Sequence, residues 1–124
     1  MAYMNDSLYD LLLQELETSG TRLDICSAQP ATYAEATSTY TLGNKTGITY
    51  TGPADRSPNG RKTTVDAISG GSVTGTGTAA YWAITKPTTT TALYATGALA
   101  SSQAVTSGNT FSLAAFDIGI PDAT

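Results

Sequence analysis

The chain has 124 residues, of which 23 Thr, 18 Ala, 12 Gly and 11 Ser fill 64 positions, so one domain must be assembled from side chains that each bury little apolar area. Charged residues make up only 13% and the net charge is -4, which is too little charge for a disordered chain and the wrong sign for nucleic acid or an anionic membrane. The absence of His and the presence of one Cys exclude histidine triads, the common zinc and iron sites, internal disulfides and CxxC chemistry.

Residues 5–20 read as one short helix. Ser7 and Asp10 have the spacing of a capping box, and Gly20 supplies a stop. Leu8, Leu12 and Leu16 share a face by four-residue steps, Leu11 widens it, and Asp10, Gln14 and Glu17 lie mostly opposite. This stripe is expected to cap an open end of the domain's own sheet. Tyr9 and Leu13 fall off the stripe, which keeps a neighbouring subunit open as an alternative seat.

After Gly20 the period changes to that of strands. Thr21–Ser27 alternates and directs Cys26 to one face as a small, buried or half-buried filler. Thr46–Thr51 carries Ile48 and Tyr50 on one parity. Gly60–Ile68 sets Thr63, Val65 and Ala67 against Lys62, Thr64 and Asp66, as in a half-exposed strand. Ala79–Thr85 is apolar on both faces, with Trp82 and Ile84 on one and Tyr81 and Ala83 on the other, which predicts a central strand. Thr91–Thr96, Gln103–Thr106 and Thr110–Ile120 complete about seven short strands. Turn signals fall at Gly52-Pro53, Pro58-Asn59-Gly60, Gly70-Gly71, Lys86-Pro87, Gly97 and Ser107-Gly108-Asn109. The fold class is therefore mainly β: an antiparallel β-sandwich with one short N-terminal α-helix, forming a single domain over residues 1–124. The longest apolar run of the N-terminus, Leu11-Leu12-Leu13, is far short of a signal segment or a membrane span, and synthesis in the cytoplasm is expected.

Few motifs carry chemistry. Asp55, Ser57, Asn59, Gly60 and Asp66 match an EF-hand loop in part, but Pro58 and strand-like flanks favour an ordinary turn. Asp24, Asp66 and Asp117 are the acids available for a glycosidase pair, and nothing in the sequence brings two of them together. Arg56, Arg61 and Lys62 place half of the six basic side chains within seven positions, either as a solvated loop or as a contact for an acidic partner subunit. No catalytic, cofactor or metal site is expected. The candidate partner interface is Leu8, Tyr9, Leu12, Leu13, Arg56, Arg61 and Lys62.

Two stretches carry a resemblance: residues Thr21 to Tyr33, and Tyr81-Trp82-Ala83-Ile84 followed by Leu93-Tyr94-Ala95-Thr96-Gly97-Ala98-Leu99 and Val105-Thr106-Ser107-Gly108-Asn109-Thr110-Phe111. With the opening helix they resemble a family of small virion proteins of tailed bacteriophages. The second stretch is similar to head-decoration and tail-associated β-sandwich modules, in which an apolar strand, an L-x-x-x-G-x-L hairpin and a V-x-x-G-x-x-F strand follow in order. The resemblance implies a virion component without catalysis or cofactor. The first expectation is a capsid decoration, or cement, protein made in the host cytoplasm. It would sit on the capsid surface as a homotrimer, bind the major capsid protein and stabilise the head, with no nucleic-acid or membrane partner. The alternative is a tail or tail-fibre module that binds a host receptor.

Overall fold

The structure is a computed structural model describing residues 4–121. Helix α1 (Asp6–Ser19) is capped by Asn5 rather than by Ser7: the Ser7 N–H donates to Asn5 Oδ1 at 2.8 Å, and the Gly20 N–H closes the far end on the Leu16 carbonyl at 2.8 Å. Nine strands follow: β1 (Arg22–Cys26), β2 (Thr41–Thr46), β3 (Tyr50–Asp55), β4 (Arg61–Val65), β5 (Ile68–Val73), β6 (Gly77–Lys86), β7 (Ala92–Val105), β8 (Thr110–Leu113) and β9 (Phe116–Ile120). They form a six-stranded sheet in the order β7-β6-β1-β2-β5-β8 and a three-stranded sheet in the order β3-β4-β9, antiparallel throughout. The curled larger sheet and the smaller one enclose the core in a sandwich-like arrangement.

Register decides which side chains meet between the sheets. Leu23 and Ile25 pair with Ile84 and Trp82, so these four share the inner face of the large sheet. Val65, Phe116 and Ile118 approach from the small sheet, and Leu16 enters from α1. The Trp82 and Phe116 rings bridge the sheets with centroids 4.7 Å apart. Strand β6 lies between β1 and β7, as the apolar character of both its faces predicts. Strand β1 is covered on both sides. Its outward residues, Asp24 and Cys26, are buried beside a π-helical turn at Glu35–Thr39, where the Cys26 thiol meets the Ala36 carbonyl at 3.7 Å.

Several expected boundaries move for identifiable reasons. The chain turns at residues 47–49, so the strand expected at Thr46–Thr51 is the end of β2 and the start of β3. Gly70-Gly71 and Gly97, expected as turns, lie inside β5 and β7. A Cβ on Gly71 would strike the Phe111 ring, and one on Gly97 would stand 2.8 Å from the Trp82 ring. These two glycines make room for aromatic rings rather than breaking strands. Residues 91–96 and 103–106 belong to one strand, whereas 110–120 divides between the two sheets.

The helix also seats differently from its expected stripe. Tyr9, Leu13 and Leu16, spaced i, i+4, i+7, are buried at 2%, 2% and 8% exposure, while Leu8, Leu11 and Leu12 remain 44%, 62% and 53% exposed. Six apolar residues on α1 make two overlapping arcs, and polar ties select between them. With Tyr9 and Leu13 turned inward, Asp10 meets Arg61 and Glu17 meets Thr63, both on β4. Tyr9 and Leu13 are thus core residues and not part of an exposed interface. In urea unfolding, Tyr9→Ala is expected to cost about 3 kcal/mol by leaving a cavity, whereas Leu11→Ala changes stability by less than about 0.5 kcal/mol.

Candidate interaction surface

The i, i+3, i+4 spacing of Leu8, Leu11 and Leu12 places them side by side as a ridge on the outward face of α1. Four polar ties hold the helix beneath that ridge. Arg61 Nε donates to Asp10 Oδ1 at 2.8 Å, the Thr63 hydroxyl donates to Glu17, and the Tyr50 hydroxyl donates to the Gly20 carbonyl at 2.6 Å. The Tyr94 hydroxyl donates to Glu15 Oε2 at 2.6 Å. The ridge continues at Leu12 into a groove of about 230 Å³ against Tyr94 and Ala95 of β7 and Ile118 and Ile120 of β9.

A second apolar recess, of about 260 Å³, opens farther along the same side between β7 and the β8–β9 connection. Its walls are Trp82, Leu99, Leu113 and Phe116. It exists because β7 bulges: Ala79 pairs with Gln103 and Tyr81 with Ala98, so four residues of β7 stand opposite the single Ala80. Sequence reasoning missed this recess. Its one signal was the separate placing of 91–96 and 103–106, which leaves the bulged residues between them.

The basic cluster is largely spent inside the chain. Arg61 pairs with both Asp10 and Asp55, and Lys62 Nζ lies 3.0 Å from Asp117 Oδ2. Among the described residues no carboxylate lies in ion-pair distance of Arg56, which donates to the Asn59 carbonyl at 3.0 Å and lies against Gly119. Arg61 and Lys62 therefore tie together α1 and the small sheet, whereas Arg56, the member of the cluster without a carboxylate partner among the described residues, stands beside a polar recess lined by Ser57, Lys62 and Asp117.

The acids are also engaged by structural partners. Asp24 is fully buried, takes two hydrogen bonds from Arg22 at 2.7 and 3.0 Å, and accepts the Thr41 hydroxyl at 2.7 Å. Asp66 accepts the Thr49 and Thr51 hydroxyls, and Asp117 accepts that of Thr64. Asp55 pairs with Arg61 at the start of β4 and Asp66 follows the strand's far end, roughly 17 Å of strand away, so the EF-hand-like set does not converge. Among the described residues no three His, Cys, Asp or Glu side chains cluster as metal ligands, and no helix is long and apolar enough to cross a membrane. Burial first, and then the charge of Asp24, pushes the Cys26 thiol up to about 12 and keeps it protonated.

Hydrogen bonds hold several surface carboxyls below their usual range: Thr51 and Thr49 act on Asp66, Thr64 and then Lys62 on Asp117, and Tyr94 on Glu15. A carboxyl whose folded pKa is depressed stabilises the fold fully above its unfolded value and loses that contribution as pH falls through the folded one. The melting temperature is therefore expected to fall on acidification from about pH 5 to about pH 2. Replacing Asp66 and Asp117 together by Asn should make that fall shallower; an unchanged slope contradicts the assignment.

Comparison with protein-family models, with curated proteins and with solved structures finds no match to this chain.

Proposed function

We propose that the chain is a structural component of a tailed-phage virion, a capsid decoration protein that adheres to the major capsid protein and to its own copies, as a homotrimer, on the head surface. The observation that carries this reading is the leucine ridge on a helix already seated by its other face. Leu8, Leu11 and Leu12 are left outside the core that Tyr9, Leu13 and Leu16 join. Apolar side chains grouped on a locked helix suit adhesion to protein. The carboxylates Asp24, Asp66 and Asp117 are each occupied by partners of their own, which favours a role in binding over one in catalysis. The resemblance of residues 81–111 to phage head-decoration and tail-associated modules gives the binding its setting.

Magnitudes fit a lattice protein. Covering each half-exposed leucine contributes roughly 1 kcal/mol, which is weak for one isolated contact. On a shell, many copies held at fixed spacing convert weak contacts into lasting occupancy. Quantitative mass spectrometry of purified particles is expected to find the chain in hundreds of copies. Capsid shells lacking it should take up the wild type and bind a Leu8→Asp/Leu12→Asp variant at least tenfold less. Absence from particles, or a few dozen copies confined to the tail, would overturn the decoration reading.

A further inference from the structure

Of the six basic side chains, Arg22, Arg61 and Lys62 pair with carboxylates of the same chain. Arg56 does not, yet the fold fixes where it lies. Its backbone N–H donates to the Gly60 carbonyl at 2.9 Å, closing the turn between β3 and β4, and its side chain crosses to β9. A Cβ on Gly119 would stand 2.6 Å from Arg56 Cδ and 2.8 Å from its Nε, so the arginine occupies the place that the glycine leaves empty. One guanidinium N–H donates to the Asn59 carbonyl at 3.0 Å and holds that placement. Among the described residues no second acceptor takes the rest of the fork.

Register puts a second cation at the same spot. Lys62 is the β4 partner of Gly119, and because Thr63 and Val65 are buried, Lys62 faces outward beside the Arg56 side chain. Two cations set side by side repel unless an anion lies with them. Asp117 answers only one of them: its oxygens take Lys62 Nζ at 3.0 Å and the Thr64 hydroxyl at 2.7 Å. Asp55 is paired with Arg61 instead. The recess of about 470 Å³ that Arg56, Lys62 and Asp117 share with Ser57 and Gly119 therefore holds two positive charges against one negative, on a chain whose net charge is -4.

We propose that this recess binds a carboxylate in the Arg56 guanidinium fork, and that the carboxylate is an acidic side chain of the protein to which the chain adheres. A single carboxylate cancels the one positive charge left over, whereas a phosphate dianion would overshoot it beside Asp117. The fork also presents two parallel N–H groups, which match the two oxygens of a carboxylate. A free acid is poorly retained in a recess open to solvent, because an exposed ion pair strengthens an affinity only about fivefold. An acid carried on a protein adds that factor to the other contacts of the interface. In this last respect the proposal rests on the adhesive reading, to which it adds a polar anchor separate from the leucine ridge.

The Nε–H signals of the three arginines, read by NMR at about pH 6, where carboxylates are ionised, test the site. Arg22 and Arg61 serve as internal references, since the Nε–H of each already donates to an aspartate. Titration with the blocked peptide acetyl-Gly-Asp-Gly-amide at constant ionic strength is expected to shift Arg56 at least about fivefold more than either reference, and more than inorganic phosphate does at equal concentration. The peptide with Asn in place of Asp should leave all three signals unmoved. Asp117→Asn, which removes the competing negative charge, should enlarge the response of Arg56. On capsid shells lacking the chain, Arg56→Gln should bind at least about threefold less than the wild type, with Arg56→Lys, which keeps the charge but not the fork, in between. The fold of each variant is checked by circular dichroism, and the wild-type titration needs no variant. Arg56 moving no more than the references, a stronger response to phosphate, or shells that take up Arg56→Gln as fully as the wild type each overturns the proposal. Shells that bind no form of the chain while Arg56 answers the Asp peptide would remove the virion assignment and leave the carboxylate site standing. Shells that bind the wild type while Arg56 ignores the peptide would do the reverse.

Discussion

Helix α1 is held over the open side of two sheets by Tyr9, Leu13 and Leu16 and by ties to Arg61, Thr63, Tyr50 and Tyr94, and this seating governs what the surface presents. A chain in which about half the residues are Thr, Ala, Gly or Ser has few large side chains for its core. The helix supplies three of them in one stroke. Its rotation is set by the Asp10 and Glu17 partners on β4, and that same rotation leaves Leu8, Leu11 and Leu12 outside. The ridge is thus a by-product of closing the core, and its position is as rigid as the closure.

The small residues have a second consequence. Threonine hydroxyls at position 49, just before β3, and at positions 51 and 64 of the small sheet satisfy Asp66 and Asp117. These polar groups are consequently bonded within the chain. On the β7 and β9 side the opening beside the Trp82–Phe116 pair is lined mainly by apolar groups, among them Tyr94, Ala95, Leu99, Ile118 and Ile120. The leucine ridge, the groove and the recess thereby follow one another on one side of the molecule.

Much of the fold was legible where one period or one face dominates. The helix at 5–20, the half-exposed β4 with Thr63 and Val65 inward, and the central β6 all follow from spacing and polarity alone. Legibility failed where two solutions share a pattern. Leucines at 8, 12 and 16 and the set Tyr9, Leu13, Leu16 are equally good helical arcs, and the long-range ties of Asp10 to Arg61 and of Glu17 to Thr63 separate them. Gly71 and Gly97 look like turns because the rings that need their space, Phe111 and Trp82, are distant in sequence. The basic cluster looked like a partner site for the same reason, since Asp10 and Asp117 lie far from Arg61 and Lys62 along the chain.

The central claim is that α1 buries one apolar face and offers the other, and methyl NMR with a soluble paramagnetic probe tests it most directly. In dilute solution the methyls of Leu8, Leu11 and Leu12 should be strongly broadened while those of Leu13 and Leu16 are protected. Broadening of Leu13 with protection of Leu8 and Leu12 would mean that the helix docks by its other arc, and the account of the surface would be wrong.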